Sequence, residues 1–350
     1  MKKLLRKTVN DGFLRRIIEY MKKFYNVSVV GATGLIGGKF LKLLEKRKFP
    51  SGELKLFASP KSTGKKIYAC GKFTEVCALN ENSFEGTDIA FFFAVKDVSR
   101  IYAPAAEAAG AVVIDNSSAF RRCEDIPLVI PEINADKINL NKRRIIANPN
   151  CSTVQAILPL KYVARTHGIK RLIFSTYQAA SGSGKKGVRD LLLSRQGFSP
   201  SYYPLSLAET CLCKIGETLP DGYTDEEEKM RFETNKILGI SAKISATCIR
   251  VPIENCHAVS VEAELEKTID IDEISREIAL VEGVKICEYP SSVAADGNNN
   301  VLVGRLRKST AFSNGICFTA FADNTLKGAA LNAIQIAETL IESNKIQPEI

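Results

Sequence analysis

The chain has 350 residues, 45% hydrophobic and 25% charged, which is the balance of an ordinary folded protein and excludes disorder, collagen-like repeats and mucin-like stalks. No apolar run reaches the ~18–20 residues that a membrane-crossing helix needs, so no membrane partner is expected. The formal net charge is +9, and part of it sits in residues 1–20, where Lys2, Lys3, Arg6, Lys7, Arg15 and Arg16 face only Asp11 and Glu19. The remainder is too diffuse to argue nucleic acid and suits a phosphorylated or carboxylate substrate.

Residues 1–24 read as an N-terminal extension, with Met21 as an alternative start just ahead of the first strand. They contain no uninterrupted apolar segment with a small-residue cleavage site, so a cytoplasmic location is expected. The ten cysteines are scattered, without a CxxC pair, and the only histidines are His167 and His257. That pattern fits neither a zinc site nor a disulfide framework; no metal is expected.

The first core strand is Val27–Val30. Gly31-Ala32-Thr33-Gly34-Leu35-Ile36-Gly37 follows, with Leu35, Ile36, Phe40, Leu43 and Leu44 at helical spacing. Strand, glycine turn and helix together are a dinucleotide-binding context: Gly31 allows the tight turn, Gly34 the approach of a pyrophosphate, and Gly37 close helix packing. The helix start offers its free N–H groups to the phosphates. Further strands are expected at 54–58, 88–94, 111–115, 128–130 and 144–147, with a helical piece over 103–110. The alternation implies a Rossmann-type, doubly wound parallel sheet over residues 25–150. Beyond residue 150 longer strands (171–178, 244–251, 259–265 and 315–322) imply an α+β catalytic and dimerisation domain over 151–324. A closing helix at 327–343, within a segment 325–350, is expected to return to the first domain.

The end of the second strand bears on cofactor choice. An NAD-binding unit places an acidic residue there for the ribose 2′-hydroxyl. None occurs between Leu54 and Lys66, whereas Ser59, Lys61, Ser62 and further lysines do. A 2′-phosphate would meet donors and no carboxylate, so NADP(H) is the expected cofactor.

Asn148-Pro149-Asn150-Cys151-Ser152-Thr153 opens a helical run, which sets Cys151 at a helix N-terminus, where a thiolate is stabilised and its pKa can fall to roughly 3.5–7.5. The coincidence of domain junction, helix start and cofactor motif makes Cys151 a candidate nucleophile. His167 stands before a glycine at a helix end and reads as a cap. His257 lies in a polar turn seven residues after Arg250, and the closeness of imidazole and guanidinium around one turn points to a site.

Four segments together, Asp115-Asn116-Ser117-Ser118-Ala119-Phe120-Arg121, Asn150-Cys151-Ser152-Thr153, Tyr177-Gln178-Ala179-Ala180-Ser181-Gly182 and Arg250-Val251-Pro252 with His257, resemble the bacterial aspartate-semialdehyde dehydrogenase family. The resemblance runs in family order from about Val27 to Ile341. It implies reversible NADPH-dependent conversion of L-aspartyl 4-phosphate to L-aspartate 4-semialdehyde and phosphate, on the diaminopimelate and lysine, methionine and threonine routes, by a homodimer or homotetramer. It further implies Cys151 as the thioester-forming nucleophile, His257 as acid/base and Gln178 as the group orienting the acyl substrate. Arg250 would hold the α-carboxylate, Arg121 and Lys229 the phosphate, and Glu226 the amino end. Thr33, Gly34, Leu35, Ile36, Lys61, Ser62, Ser181, Gly182 and Asn324 would contact the cofactor.

Three positions depart from the family. Ala94-Val95-Lys96-Asp97 stands where a Gly-Gly segment is frequent, Cys256 stands where glycine often precedes the histidine and so implies another backbone conformation, and Arg122 competes with Arg121 for the phosphate. The nearest rival, N-acetyl-γ-glutamyl-phosphate reductase, usually has glycine before its nucleophile and aromatic residues after it, unlike Asn150 and Ser152-Thr153. A non-catalytic homologue would be expected to lack nucleophile or base.

Overall fold

The computed structural model describes residues 24–347. The expected extension with a start at Met21 falls on residues outside that range, as do residues 348–350.

The first half of the chain alternates short strands with helices: β1 (Tyr25–Val30), α1 (Leu35–Lys46), β2 (Ser51–Phe57), β3 (Lys66–Ala69), β4 (Lys72–Cys77), β5 (Ile89–Phe92), α2 (Lys96–Ala108), β6 (Val112–Asp115) and β7 (Ile145–Ala147). Strands β5 and β6 are buried at every position, as strands covered on both faces by crossover helices must be. The sheet order is β3-β4-β2-β1-β5-β6-β7. All pairings are parallel except that of β3 with β4. Because β2 lies on one side of β1 and β5 on the other, the chain reverses direction there. This is the switch point at whose carboxyl end α/β sheets bind ligands.

Two details differ from the sequence reading. Residues 128–130 make only one bridge, Leu128 to Ala147, and no strand. The β3–β4 hairpin was not expected; it turns through Cys70 (φ 51°) and Gly71 (φ 79°). That turn needs positive φ at both positions, and cysteine is a poor signal for the first of them.

The second half contains α3 (Cys151–Ile157), β8 (Ile169–Gln178), α4 (Gly184–Arg195), α5 (Asp225–Leu238), β9 (Lys243–Arg250), β10 (His257–Leu265), α6 (Ile271–Ala279), β11 (Val284–Ile286), β12 (Val301–Lys308), β13 (Gly315–Ala322) and α7 (Leu331–Glu342). The strands form a mixed sheet ordered β11-β12-β13-β10-β8-β9. Strand β10 alternates buried and half-buried residues along its length, so one face packs on the core while the other stays partly open. His257 is the first residue of β10 rather than part of the turn before it. Strand β12 escaped the sequence reading because Gly304 and charged residues interrupt its apolar start; Gly304 is where Pro290 packs against the backbone.

The closing helix is regular from Leu331, after a wide turn at Leu326–Ala330. As expected, it returns to the first sheet: Leu331, Ile334 and Leu340 share a core with Val27, Phe40 and Ile114. Arg47 forks onto Glu338 at 2.7 and 2.6 Å, and the Tyr25 hydroxyl donates to the Ile346 carbonyl at 3.3 Å. Lys327 is fully buried, its Nζ donating to both Glu132 carboxylate oxygens at 2.8 and 2.9 Å and to Gln335 at 2.7 Å. A buried ammonium needs such a complete set of acceptors. Among the described residues no helix is long and apolar enough to cross a membrane.

Candidate active site

The glycine turn leaves β1 as expected. Gly31 has φ 85°, and a Cβ there would overlap the Phe93 carbonyl oxygen; a Cβ on Gly37 would overlap the Gly31 carbonyl. Helix α1 is thereby drawn tightly onto the switch point. Its N-cap, Gly34, has no side chain to cap the first turn, so those N–H groups are left for a ligand, which fits a dinucleotide phosphate. Ile36 lines the crevice beside this turn, whereas Gly31, Leu35 and Gly37 shape the turn without lining it. Thr33 Oγ1 donates to Ser62 Oγ at 3.3 Å, joining the turn to the end of β2. Ser59 and Lys61 are exposed and line neither the crevice nor the cavity beside Thr33.

The crevice, about 530 Å³, continues over the start of α3. Pro149 ends the preceding extended segment, and the Asn150 side chain caps α3 by accepting from the Ser152 and Thr153 N–H groups at 2.9 and 3.3 Å. Cys151 is therefore the first helical residue and is half-buried on the crevice wall, with Gly328 packed against its Cβ. Burial, followed by the Glu226 carboxylate, pushes its thiol up to about 11, with Arg121 and Arg250 opposing. Burial and Glu226 thus outweigh the lowering effect of the helix N-terminus, where the Ser152 N–H favours the thiolate.

Helix α5 supplies the opposite wall. Thr224 and Glu227 form a capping box at its start, and Gly239 ends it with φ 67°. Glu226 and Lys229 sit one turn apart, 3.1 Å from each other. Glu226 also accepts from Asn150 Nδ2 at 2.9 Å and from Gln178 Nε2 at 3.2 Å. Burial works against its charged form, yet Lys229 and these hydrogen bonds hold its carboxyl below the ordinary value. Lys229 is likewise penalised by burial, but Glu226 and Asp225 raise it above its usual value.

Arg121 is buried and lines the crevice, while Arg122 is exposed and paired with Glu228 at 3.0 Å. Of the two, Arg121 is the one that faces the crevice. Arg250 is buried on the far side, donating to the Ala179 carbonyl at 2.6 Å. His257 is fully buried beneath Gly182 and is not itself exposed to the crevice; a Cβ on Gly182 would come within 3.2 Å of Nε2. The Ala179 N–H donates to His257 Nδ1 at 2.9 Å, so the neutral ring carries its proton on Nε2, which has no hydrogen-bond partner among the described residues. Burial and then Arg250 hold the imidazole well below its ordinary pKa. Ser181 donates to Asn324 Oδ1 at 3.0 Å, and both line the crevice with Gly182.

Cys256 keeps a left-handed backbone, φ 73°. Cys256 is thus a non-glycine residue in the left-handed region, and its N–H donates to Asn324 Oδ1 at 3.0 Å. Ala94 and Val95 form part of the crevice wall. His167 ends its helix as read, 3.2 Å from Glu277, and is not among the residues lining the crevice.

One residue was missed. Glu233, one turn beyond Met230 on α5 and 1% exposed, accepts from Arg121 Nη1 at 2.9 Å and from the Asn150 N–H at 2.6 Å. It ties the buried guanidinium to the loop carrying Cys151. The spacing Glu226, Lys229, Glu233 on one helical face was the available signal. Glu233→Ala is expected to cost about 3–5 kcal/mol of stability, because it leaves a buried cation unpaired. Urea denaturation measures this; a loss under about 1 kcal/mol, the scale of an exposed pair, would show that Arg121 finds another partner.

A doubly wound sheet with an open switch point, joined to a mixed α/β domain across a crevice holding a cysteine and buried arginines, is the build of a two-domain, nicotinamide-binding dehydrogenase. Residues 26–141 match the family of semialdehyde dehydrogenase NAD binding domains, and residues 160–327 match the semialdehyde dehydrogenase dimerisation domain. The aspartate-semialdehyde dehydrogenase of Aquifex aeolicus is 44% identical over 338 residues, covering 92% of this chain and 99% of the relative. That of Bacillus subtilis is 38% identical over 347 residues, covering 93% and 100%. Among solved structures, the aspartate semialdehyde dehydrogenase II of Vibrio cholerae, complexed with ASA, superposes with a TM-score of 0.87 at 38% identity, covering 91% of this chain and 98% of that one. The chain belongs to the aspartate-semialdehyde dehydrogenase family.

Proposed function

We propose that the protein catalyses reversible, NADPH-dependent reductive dephosphorylation of L-aspartyl 4-phosphate to L-aspartate 4-semialdehyde and phosphate. The observation that carries this reading is Cys151 at the start of α3, facing one crevice with Arg121, Gln178, Glu226, Lys229 and Arg250. The Arg250 fork suits an α-carboxylate. Glu226, held charged at the bottom of the crevice, suits the ammonium beside it, and Gln178 orients the acyl group. Arg121 and Lys229 balance charge on the phosphate.

Attack by the Cys151 sulfur on the acyl carbon breaks the carbon–oxygen bond to phosphate and leaves a thioester on the enzyme. The thiol proton departs with the phosphate. A nicotinamide held by the glycine turn, Ser181, Gly182 and Asn324 would supply the hydride that reduces this thioester. His257, in the acid/base role, would hydrogen-bond through Nε2–H to the oxygen of the tetrahedral adduct as negative charge gathers there. That oxygen then re-forms the carbonyl of the aldehyde, the carbon–sulfur bond breaks, and Cys151 leaves as a thiolate that takes its proton from solvent. The glycine turn, Ser181, Gly182 and Asn324 would hold the cofactor, with the hydroxyls and lysines after β2 favouring NADP(H) over NAD(H) by roughly 1–3 kcal/mol.

On this reading residues 25–150 with 325–350 form the cofactor-binding unit and 151–324 the catalytic and dimerisation unit, in a cytoplasmic homodimer or homotetramer serving lysine, methionine and threonine synthesis. The test is phosphate-dependent reduction of NADP with aspartate semialdehyde or N-acetylglutamate semialdehyde as substrate. Turnover of the first alone is expected. Preference for the second would reassign the protein to the acyl-glutamyl reductases, and activity with neither would make it a binding protein.

A further inference from the structure

Helix α5, whose first turns bring Glu226 and Lys229 to the crevice, carries Lys236 in its last turn. A lysine there ordinarily serves the last carbonyls of its own helix or solvent. Lys236 instead reaches the loop that follows β6. Its Nζ donates to the Arg121 carbonyl at 3.0 Å, to the Cys123 carbonyl at 2.7 Å and to the Ile126 carbonyl at 3.0 Å. An ammonium has three donors, so all of them are spent on this one loop. The start of the loop is fixed separately, Asp115 accepting from the Ser117 N–H at 3.2 Å and from its hydroxyl at 2.7 Å.

The side chain of Arg121 is held by the same helix. Glu233, three residues before Lys236, takes Nη1, and the Asn116 carbonyl takes Nη2 at 2.9 Å. A guanidinium has five N–H donors, so donors remain for a ligand in the crevice that Arg121 lines. Through its other oxygen Glu233 accepts from the Asn150 N–H, next to Cys151.

We propose that Lys236 is a positioning residue for phosphate recognition: by pinning the main chain of Arg121 it fixes where the guanidinium stands relative to Cys151. The proposal rests on the reading that Arg121 receives the phosphate. One face of α5 then sets the spacing between phosphate grip and nucleophile, with Glu233 holding side chain and cysteine loop and Lys236 holding the backbone. Without the ammonium, three carbonyls lose a charge-assisted partner, and the loop is left to its own turns.

Steady-state kinetics of phosphate-dependent NADP reduction, with phosphate and aspartate semialdehyde varied separately, test this. Lys236→Met keeps the apolar stem and removes the donors. It should raise the KM for phosphate roughly ten- to hundredfold, the scale on which a misplaced binding group acts. The KM for the aldehyde, and kcat at saturating phosphate, should stay close to wild type. Lys236→Arg, which restores donors, should recover most of the phosphate affinity. Because Lys236 acts through Arg121, adding Lys236→Met to Arg121→Ala should raise the phosphate KM no further. Should the methionine variant not fold, Lys236→Gln carries the same comparisons. An unchanged phosphate KM in Arg121→Ala would remove the phosphate reading and this proposal with it. If Arg121→Ala raises that KM and Lys236→Met does not, or if the two effects add in full, the reading survives and Lys236 is no positioning residue. An equal rise in both KM values with a lowered thermal midpoint also overturns the proposal, since it would make Lys236 a general brace.

Discussion

Cys151→Ala is expected to abolish turnover while leaving cofactor binding largely intact. The side chain stands on the crevice wall at the start of α3, whereas the proposed seat of the dinucleotide phosphates is the turn between β1 and α1. Its truncation therefore removes a reacting atom and little else. Incubating the variant with substrate and searching by mass spectrometry for a thioester gives the decisive result; an acyl group found on another of the ten cysteines would falsify the assignment. A pH dependence accompanies it. With burial and Glu226 raising the thiol to about 11, the thiolate fraction in the ligand-free enzyme is small at neutral pH. Alkylation of Cys151 by iodoacetamide should accelerate as pH rises toward that value. A midpoint below about 7.5, inside the range of activated cysteines, would mean that the helix N-terminus and the arginines outweigh burial.

His257→Ala should lower kcat by roughly 10²–10⁴-fold, the contribution of a positioned acid/base group. The Ala179 N–H occupies Nδ1, so Nε2 is the nitrogen that can serve the reaction, and Gly182 is the residue lying over it. Because burial and Arg250 lower the pKa of this ring, it stays neutral through the ordinary histidine range. The sign follows: a depressed histidine pKa favours the fold above the unfolded value near 6.5 and withdraws that support as pH falls and the ring must charge. A pH profile of kcat should accordingly lack a His257 limb near 6.5. An alanine variant with more than about one-tenth of wild-type kcat would assign the proton transfer to another group.

Much of this could be read from residue types alone where local chemistry dictates geometry. The glycine turn follows from steric demands that only glycine meets, and the fully buried strands β5 and β6 declare themselves as apolar runs. Asn150 and Pro149 announce the start of α3. Contacts between distant segments were out of reach. Glu233 looks like any acidic residue of a charged helix until α5 is laid against the Asn150 loop, and Lys236 is an ordinary helix-end lysine until the loop after β6 is brought beside it. The direction of the Cys151 pKa belongs with these contacts: position on a helix is local, while burial and the approach of Glu226 are tertiary. Resemblance to a family supplied roles for Arg121, Lys229 and Glu226 that spacing alone would have left as a solvated charge run.

The hydrogen bond between Tyr25 and Ile346, with α7 packed among the strands that open the chain, has a consequence for synthesis. The nucleotide-binding half cannot finish its core when its own strands have been made, because Leu331, Ile334 and Leu340 are still to be translated. The second sheet, contained between β7 and α7 in sequence, can close its strand ladder first. Folding on the ribosome should thus be inverted relative to the usual N-terminal-first order, with the leading strands waiting for the last helix. The same proximity of beginning and end means that a short linker joining residues 24 and 347 would yield a circular permutant with both sheets undisturbed, opened for instance in the exposed turn at Gly197.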